Sequence, residues 1–504
     1  SGHPDFCLDE VPLDDAATFR IFQEGDTDGI FQFESSGMRD FLRRAKPNRF
    51  EDLIALNALY RPGPLESGMA DRFVNRKIGL EPVEYLFPDL EPILQDTYGI
   101  IVYQEQVMLI SVAIAGFSMG KADGMRKIMG KKLEHKLVEV EVEFLAGAQK
   151  KGLDVKRVKE LFDQIKTFAR YGFNKSHSTA YGYLAYQTAY LKAHFPVAFM
   201  AAHLSNEAGK TSTTSKMIQY INEARQMGME VMPPDINCSD DLFRVEGESR
   251  IRFGLKGIKG CGDAALASIL DVRRRGGAFA GLSDLLQRVD LSKVNKTVWE
   301  GLIQSGALDS MGYTRRGLME GLESLLAQAS VLEKRQDSCQ MSLFSPQESL
   351  HQITLPPEYA RLPEWEEDRV ITGEKEVAGM YITRNPLDPY RQEIAKVSNT
   401  TVAEVLAGEF KGGKARMAGA LTALVRRKSK EGTFYGELYF EDLSGRIRIL
   451  AFKDRWEAAS VLEIDRPYFV VADLPEDEEN VVDLFLDEIV SLESFLSREA
   501  RRVL

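Results

Sequence analysis

Residues 171–177 read Tyr-Gly-Phe-Asn-Lys-Ser-His and lead into Ser178-Thr179-Ala180-Tyr181. Asn174, Lys175, Ser176 and His177 crowd several hydrogen-bond donors into one turn. At a helix N-terminus such donors join unpaired backbone N–H groups and the positive end of the helix dipole, a combination that suits a triphosphate. An ordinary helix start capped by Ser176 or Ser178 accounts for the same residues. A second cationic stretch, Gly120 to Lys132, sets Arg126 and Gly130 on one helix face with Asp123 a turn earlier. That face presents charge while Gly130 permits close approach, and a solvated basic helix would read alike.

Three further patterns point to macromolecular contacts. Gly257-Ile258-Lys259-Gly260-Cys261-Gly262 carries the G-x-G turn of a helix-hairpin-helix, whose backbone N–H groups can hold a DNA phosphate without reading sequence. Tight interhelical turns of other kinds also carry paired glycines. Arg426, Arg427, Lys428 and Lys430 precede Phe434 and Tyr435, a mixture of charge and rings that suits single-stranded nucleic acid or a soluble loop with core aromatics. Gln340-Met341-Ser342-Leu343-Phe344 lies in a polar, Pro-punctuated stretch from about Glu333 to Trp365. One polar hook and two apolar anchors can fill a preformed pocket, and the partner this suggests is a sliding clamp.

These residues need a scaffold, and 504 residues is too long for one core; about three to four domains are expected. A chain that is 44% hydrophobic and 28% charged is ordinary globular protein. No apolar run approaches the roughly 18 residues that span a bilayer and no secretory signal opens the chain, so no membrane partner and a cytoplasmic location are expected. Cys7, Cys238, Cys261 and Cys339 never form a CxxC and read as reduced, buried thiols. The six histidines show no metal-ligand spacing. A net charge of −12 argues against a protein coated in nucleic acid but permits a local basic groove. Lys121–His177 offers one, with fourteen Lys/Arg against eight Asp/Glu. Ser1, not Met, opens the chain, which reads as a piece of something longer.

The pattern up to Asp235 predicts mostly helix, with helices over 103–115, 118–130, 134–151, 155–170 and 178–194. Ser118 is placed to cap the second of these, and the stripe Tyr183, Tyr186, Tyr190 reads as packing. A hairpin-like run, Arg252–Gly262, follows Pro233-Pro234, and helical patterns continue to about Gln328. From about Arg416 the period becomes alternating, with strands expected over 417–424, 436–442 and 446–452 in a small barrel for which an OB-fold is the natural candidate. The fold class is therefore multidomain α+β.

In this order the segments resemble the alpha subunits of bacterial DNA polymerase III, the replicative DnaE type of the C-family polymerases. The resemblance rests on Gly29-Ile30-Phe31-Gln32-Phe33-Glu34-Ser35, Ala58-Leu59-Tyr60-Arg61-Pro62-Gly63-Pro64, Tyr98 through Met108, Met129-Gly130-Lys131-Lys132, Tyr171 through His177, and Pro233-Pro234-Asp235-Ile236-Asn237. It implies a fingers domain over 1–235, a helix-hairpin-helix and clamp-binding domain over 236–330, a linker with the clamp peptide over 331–395, and an OB-fold over 396–495. It implies that Arg126, Lys127, Tyr171, Asn174, Lys175 and His177 surround the incoming nucleotide. Lys127 replaces the family's more usual second arginine, and Asn385 stands where the family commonly has histidine. Pro64 to Met69 and the clamp peptide favour the replicative branch over the mutagenic relative.

The resemblance further implies a DNA-directed DNA polymerase whose partners are primer-template DNA, a dNTP, the sliding clamp (beta subunit) and other replicase subunits. Its Mg²⁺ ions are held by palm aspartates that lie upstream of Ser1, so no catalytic or metal-ligating residue is expected in this chain. The chain alone is expected not to extend a primer. Asp14-Asp15 and Asp240-Asp241 read as turn or cap residues. The competing expectation is a stand-alone, non-catalytic DNA-binding and clamp-binding protein.

Overall fold

The computed structural model describes residues 6–130, 134–169, 172–210, 216–337, 352–383, 385–406, 408, 410, 413–428, 433–475 and 483–503. The chain divides into two compact units, Ser1–Pro196 and Val197–Leu504.

The first unit is helical, and some of its helices begin at side-chain caps. Asp15 accepts a hydrogen bond from the Thr18 N–H at 2.7 Å to open helix Ala16–Glu24, which confirms it as a cap residue. Helices Gln104–Ala115, Met119–Gly130, Glu134–Lys150 and Val155–Ala169 match the expected spans within a residue at each end. Ser118 Oγ accepts from the Lys121 N–H at 3.3 Å, as its position predicted. Ile110, Ile114, Phe117, Phe144 and Phe162 form their shared core. Helix Lys175–His194 lies against helix Phe50–Leu59, with Tyr186 fully buried between Phe19 and Phe50 at ring distances of 5.5 and 6.0 Å. Tyr183 packs on Phe50 and Tyr190 on Phe6, so the tyrosine stripe is packing, as expected.

At the start of the Phe50 helix the Asp52 carboxylate is fully buried and has five donors around it. It accepts from the Asn48 and Arg49 N–H groups at 3.1 and 3.2 Å, from Tyr98 Oη at 3.0 Å and from Lys77 Nζ at 2.7 Å. A buried carboxylate is tolerable only with its lone pairs satisfied in this way. Burial, and then the Asp52 charge, push the Tyr98 phenol up to about 12.

The second unit opens on a three-stranded sheet, β1 (Glu230–Met232), β2 (Arg244–Val245) and β3 (Arg250–Arg252), in the order β1-β3-β2. The hairpin-like reading of 252–262 is corrected here. Only Arg252 belongs to a strand; a 3₁₀ turn, Leu255–Gly257, lies within the run, and helix Asp263–Gly276 begins directly after it. The N–H groups of Leu255 and Lys256 donate to the carbonyls of Asp240 and Asp241, and the bonds within the run, such as Gly257 N–H to the Gly254 carbonyl and Cys261 N–H to the Ile258 carbonyl, are short-range turn bonds and no hairpin ladder. Cys261 is buried, Cys238 is half-buried and Cys7 is exposed, against the expectation that all were buried; Cys339 lies outside the described residues.

Helix Glu367–Ala378 ties the parts of this unit together through adjacent residues. Glu374, fully buried, accepts from Arg315 at 2.9 Å, from the N–H groups of Ile382 and Thr383 at 3.1 and 2.9 Å, and from Thr383 Oγ1 at 2.6 Å. Lys375 pairs with Asp465, which also accepts from Tyr381 Oη at 2.9 Å. Asp465 precedes the fourth of the five barrel strands that follow Gly413: β4 (Lys414–Lys428), β5 (Phe434–Glu441), β6 (Arg446–Phe452), β7 (Pro467–Asp473) and β8 (Asp483–Ser491). They close in the order β4-β5-β6-β8-β7, with β6 and β8 parallel and every other pair antiparallel. Met417, Leu421, Leu438, Phe440, Ile447, Ile449, Val470 and Leu484 fill the interior. Alternation marked the three strands expected, and their observed bounds are longer for β4 and shifted by up to two residues for β5.

Removing the Asp52 carboxylate strands a nearly buried Lys77 ammonium, so Asp52→Ala should cost about 3 kcal/mol, read as a lowered urea midpoint of the first unit. Burial pushes the Cys261 thiol up to about 12, whereas Cys7 is exposed. A maleimide at neutral pH should label Cys7 in the native protein and Cys261 only after unfolding, with peptide mapping as the readout.

Candidate functional site

Helix Lys175–His194 begins one turn earlier than expected, and the cap is Asn174, not Ser176 or Ser178. Asn174 Oδ1 accepts from the His177 N–H at 2.8 Å. Ser178 is fully buried and donates to the Ile54 carbonyl at 2.6 Å, so it serves packing. The first turn therefore presents Lys175 and an exposed His177.

The loop before this turn is held by the first residues of the Gln104 helix. Tyr103 and Phe173 form a parallel bridge, and the Gln104 N–H donates to the Phe173 carbonyl at 2.8 Å. Glu105 accepts the Asn174 side-chain amide with Oε1 and the Lys175 N–H with Oε2, both at 3.0 Å. Gly172 admits this approach, since a Cβ there would sit 2.8 Å from the Phe168 ring.

Gln104 also connects the two cationic segments. Its Nε2 donates to the Gly172 carbonyl at 3.3 Å and its Oε1 accepts from Arg126 at 3.4 Å. Arg126 and Lys127 both pair with Asp123, at 2.8 Å each, and their hydrogen bonds, Lys127 first, hold its carboxyl below the usual range. Lys175 Nζ lies 3.8 Å from Asp96 and 5.5 Å from the Tyr103 ring centre. The structure thus brings Arg126, Lys127, Asn174, Lys175 and His177 into one region of the first unit; Tyr171 lies outside the described residues. Gln104 and Glu105 were missed, and no spacing rule marks residues whose partners are 68 and 69 positions away.

In the second unit, Gly260 adopts φ +92°, and a Cβ there would meet Thr297 at 3.2 Å, so the turn needs glycine. Gly257 lies under the Phe253 ring, and Gly262 directly precedes the Asp263 helix. The Lys259 N–H donates to the Val377 carbonyl at 2.7 Å, while its side chain is on the exposed turn. Lys256, Lys259, Gly260 and Arg446 line a cavity of about 680 Å³.

On the barrel the hairpin residues fall on two faces, because neighbours along a strand point oppositely. Arg426 and Lys428 lie over the Phe434 ring at 3.9 and 5.7 Å. Arg427 pairs across the strands with Tyr435 and bonds to Glu437 at 3.2 Å. Tyr435 stacks on Phe452 at 5.5 Å, and Phe452 continues to Phe485 at 6.2 Å. Phe452 and Phe485 are exposed and were not anticipated, although strand alternation placed Phe452 on this face. Gln340, Met341, Ser342, Leu343 and Phe344 lie outside the described residues.

Asn385 is a turn residue, accepting from the Leu387 N–H at 2.9 Å. Asp240 pairs with Arg244 and Arg273. Among the described residues no group of three or more His, Cys, Asp or Glu side chains is gathered as a metal site. None of their helices is long and apolar enough to cross a membrane.

A family model of the bacterial DNA polymerase III alpha subunit finger domain matches residues 2–152, and a helix-hairpin-helix motif model matches 228–318. DNA polymerase III subunit alpha of Aquifex aeolicus is 40% identical over 498 residues, covering 98% of this chain and 40% of that protein. The Pasteurella multocida protein of the same name is 38% identical over 507 residues, covering 99% of this chain and 43% of its own. That of Escherichia coli K12 is 38% identical over 487 residues, covering 95% and 41%. The chain spans about two fifths of the length of the curated relatives it matches.

Asn174→Asp retains the cap acceptor but sets a second carboxylate against Glu105. It should cost about 1 kcal/mol, and Glu105→Gln should recover part of that loss in a double-mutant cycle read by urea unfolding.

Proposed function

The chain belongs to the bacterial DNA polymerase III alpha subunit family, and from that premise we propose that it serves a replicative DNA-directed DNA polymerase by positioning the incoming dNTP, holding primer-template DNA and tethering the sliding clamp. One observation carries the nucleotide role: Gln104 links Arg126 to the loop that presents Lys175 and His177, so cations distant in sequence face one ligand. Arg126 and Lys127 share the single carboxylate of Asp123, and a triphosphate supplies the charge they lack. Residues 1–235 act as fingers in this reading.

The glycine turn at Gly257, Lys259, Gly260 and Gly262 grips a DNA phosphate, supported by the positive φ of Gly260 and the exposed Lys259 on the turn. The barrel acts as an OB-fold, supported by its strand order, its parallel β6–β8 pair and helix Asp454–Ala459 between β6 and β7. Phe434 with Arg426 and Lys428, and Arg427 with the Tyr435 row, then offer two faces to single-stranded DNA. Nucleotidyl transfer uses Mg²⁺ ions. In this reading they belong to the parent replicative enzyme, working in the cytoplasm with its other subunits.

Arg126→Ala, Lys175→Ala and His177→Ala, placed in a complete alpha subunit at the matching positions, should each cost about 2–4 kcal/mol in transition-state stabilisation, read from kcat/KM in primer extension. Wild-type kinetics in all three, with folding intact, would discard the nucleotide role. For the clamp, Leu343→Ala with Phe344→Ala should abolish binding of the chain to the clamp ring in surface plasmon resonance while leaving its melting temperature unchanged. Retained binding with a lowered melting temperature would show instead that the pair packs inside its own domain.

A further inference from the structure

The first unit has a cleft of about 420 Å³ between helix Met69–Lys77, residues 84–101 and helix Val155–Ala169. Leu90, Leu94, Ile101, Leu161 and Phe168, all buried, form its floor. That size, with an apolar floor and a few polar groups at the edge, suits a small organic molecule.

The rim is charged, and its cations differ in how far they are committed. Arg76 donates from Nε to Glu81 at 2.9 Å and from Nη1 to the Tyr98 carbonyl at 3.1 Å. Arg72 reaches the same Glu81 at 3.3 Å with its side chain 60% exposed. Arg157 is exposed, lies 5.3 Å from the Phe87 ring centre and has no carboxylate partner among the described residues. A guanidinium laid on a ring keeps its N–H fork oriented, and that fork matches the two oxygens of a carboxylate. Glu84 and Glu160 share the rim and repel a polyanion, so the lining favours one planar acid group over a chain of phosphates. Backbone strain marks the same edge: Tyr98 and Gly99 both hold left-handed backbone, at φ +51° and +77°, and a Cβ on Gly99 would sit 2.9 Å from Arg76 Nη1.

Both walls continue into the bridge between Tyr103 and Phe173. Ile101 lies two residues before Tyr103, and the Phe168 ring comes within 2.8 Å of where a Gly172 Cβ would be. We propose that this cleft is an effector site for a compact apolar monocarboxylate, its body on Leu94, Ile101 and Phe168 and its acid on Arg157 and Arg72, and that occupancy steadies the Tyr103–Phe173 bridge. Such a site works whether or not Arg126 and Lys175 hold a nucleotide.

Saturation-transfer NMR of the 504-residue chain with indole-3-propionate, indole-3-propanol and tryptamine compares one apolar body carrying an acid, no charge or an amine. Indole-3-propionate should bind with a Kd on the order of 1 mM or tighter, about ten-fold better than the alcohol, and equimolar pyrophosphate should not displace it. Arg157→Gln should weaken the acid about five-fold and leave the alcohol unchanged. Gln164→Trp, at an exposed lining position, should fill the cleft and weaken both about ten-fold or more without lowering the melting temperature. Tryptamine binding as tightly as the acid, or displacement by pyrophosphate, overturns the ligand class. No saturable binding of the acid, or wild-type binding of it by both variants, overturns the site. The Gln104 N–H, which donates to the Phe173 carbonyl, should exchange more slowly with deuterium when the acid is bound. Unchanged exchange there, with the acid bound, overturns the steadying and leaves the site standing.

Discussion

Glu105 accepts the Asn174 side chain with one carboxylate oxygen and the Lys175 backbone with the other, and so fixes the start of one helix against the start of another. It belongs to the first turn of the Gln104 helix and faces the first turn of the Lys175 helix. Both helix dipoles favour a negative charge there, and charge-assisted bonds to amides are the stronger kind. The bridge between Tyr103 and Phe173 and the approach of Gln104 to Gly172 need this alignment. Through Gln104 it extends to Arg126, so the geometry of the candidate nucleotide site follows from one acid.

The cations are held without being neutralised. Arg126 and Lys127 divide one half-buried carboxylate, and Lys175 stands 3.8 Å from another. Pairs of this kind at a surface are worth about 0–1 kcal/mol each, so exchanging them for phosphate oxygens loses little. The buried ion pairs are of another sort. Asp52 with Lys77 and Glu374 with Arg315 have satisfied lone pairs and almost no solvent, and they set where loops and helices sit.

Local periodicity made most of the fold legible. Helix Val155–Ala169 is amphipathic over four turns, helix Gln104–Ala115 is a long apolar run, and β6 alternates in burial. The start of the Lys175 helix was misplaced because Phe173-Asn174 resembles a loop, and Asn174 caps only once Glu105 has oriented its amide. The glycine run after Arg252 has turn composition, and which carbonyls its N–H groups find is a matter of tertiary contact. Side-chain types singled out Arg126, Lys127 and Lys175, which lie in one region of the first unit. They carried no sign of Gln104, whose value lies wholly in what it touches.

Glu374 and Lys375 are consecutive, yet one is turned toward Arg315 and the other toward Asp465 beside the barrel. Successive helical residues point about 100° apart, so a single codon gained or lost upstream within that helix would swing both side chains off their partners together. Point substitutions can be repaired singly, by changing the opposite residue. A length change here has no such remedy, and insertions in the lineage of this chain should gather in the flanking loops while the helix keeps its residue count.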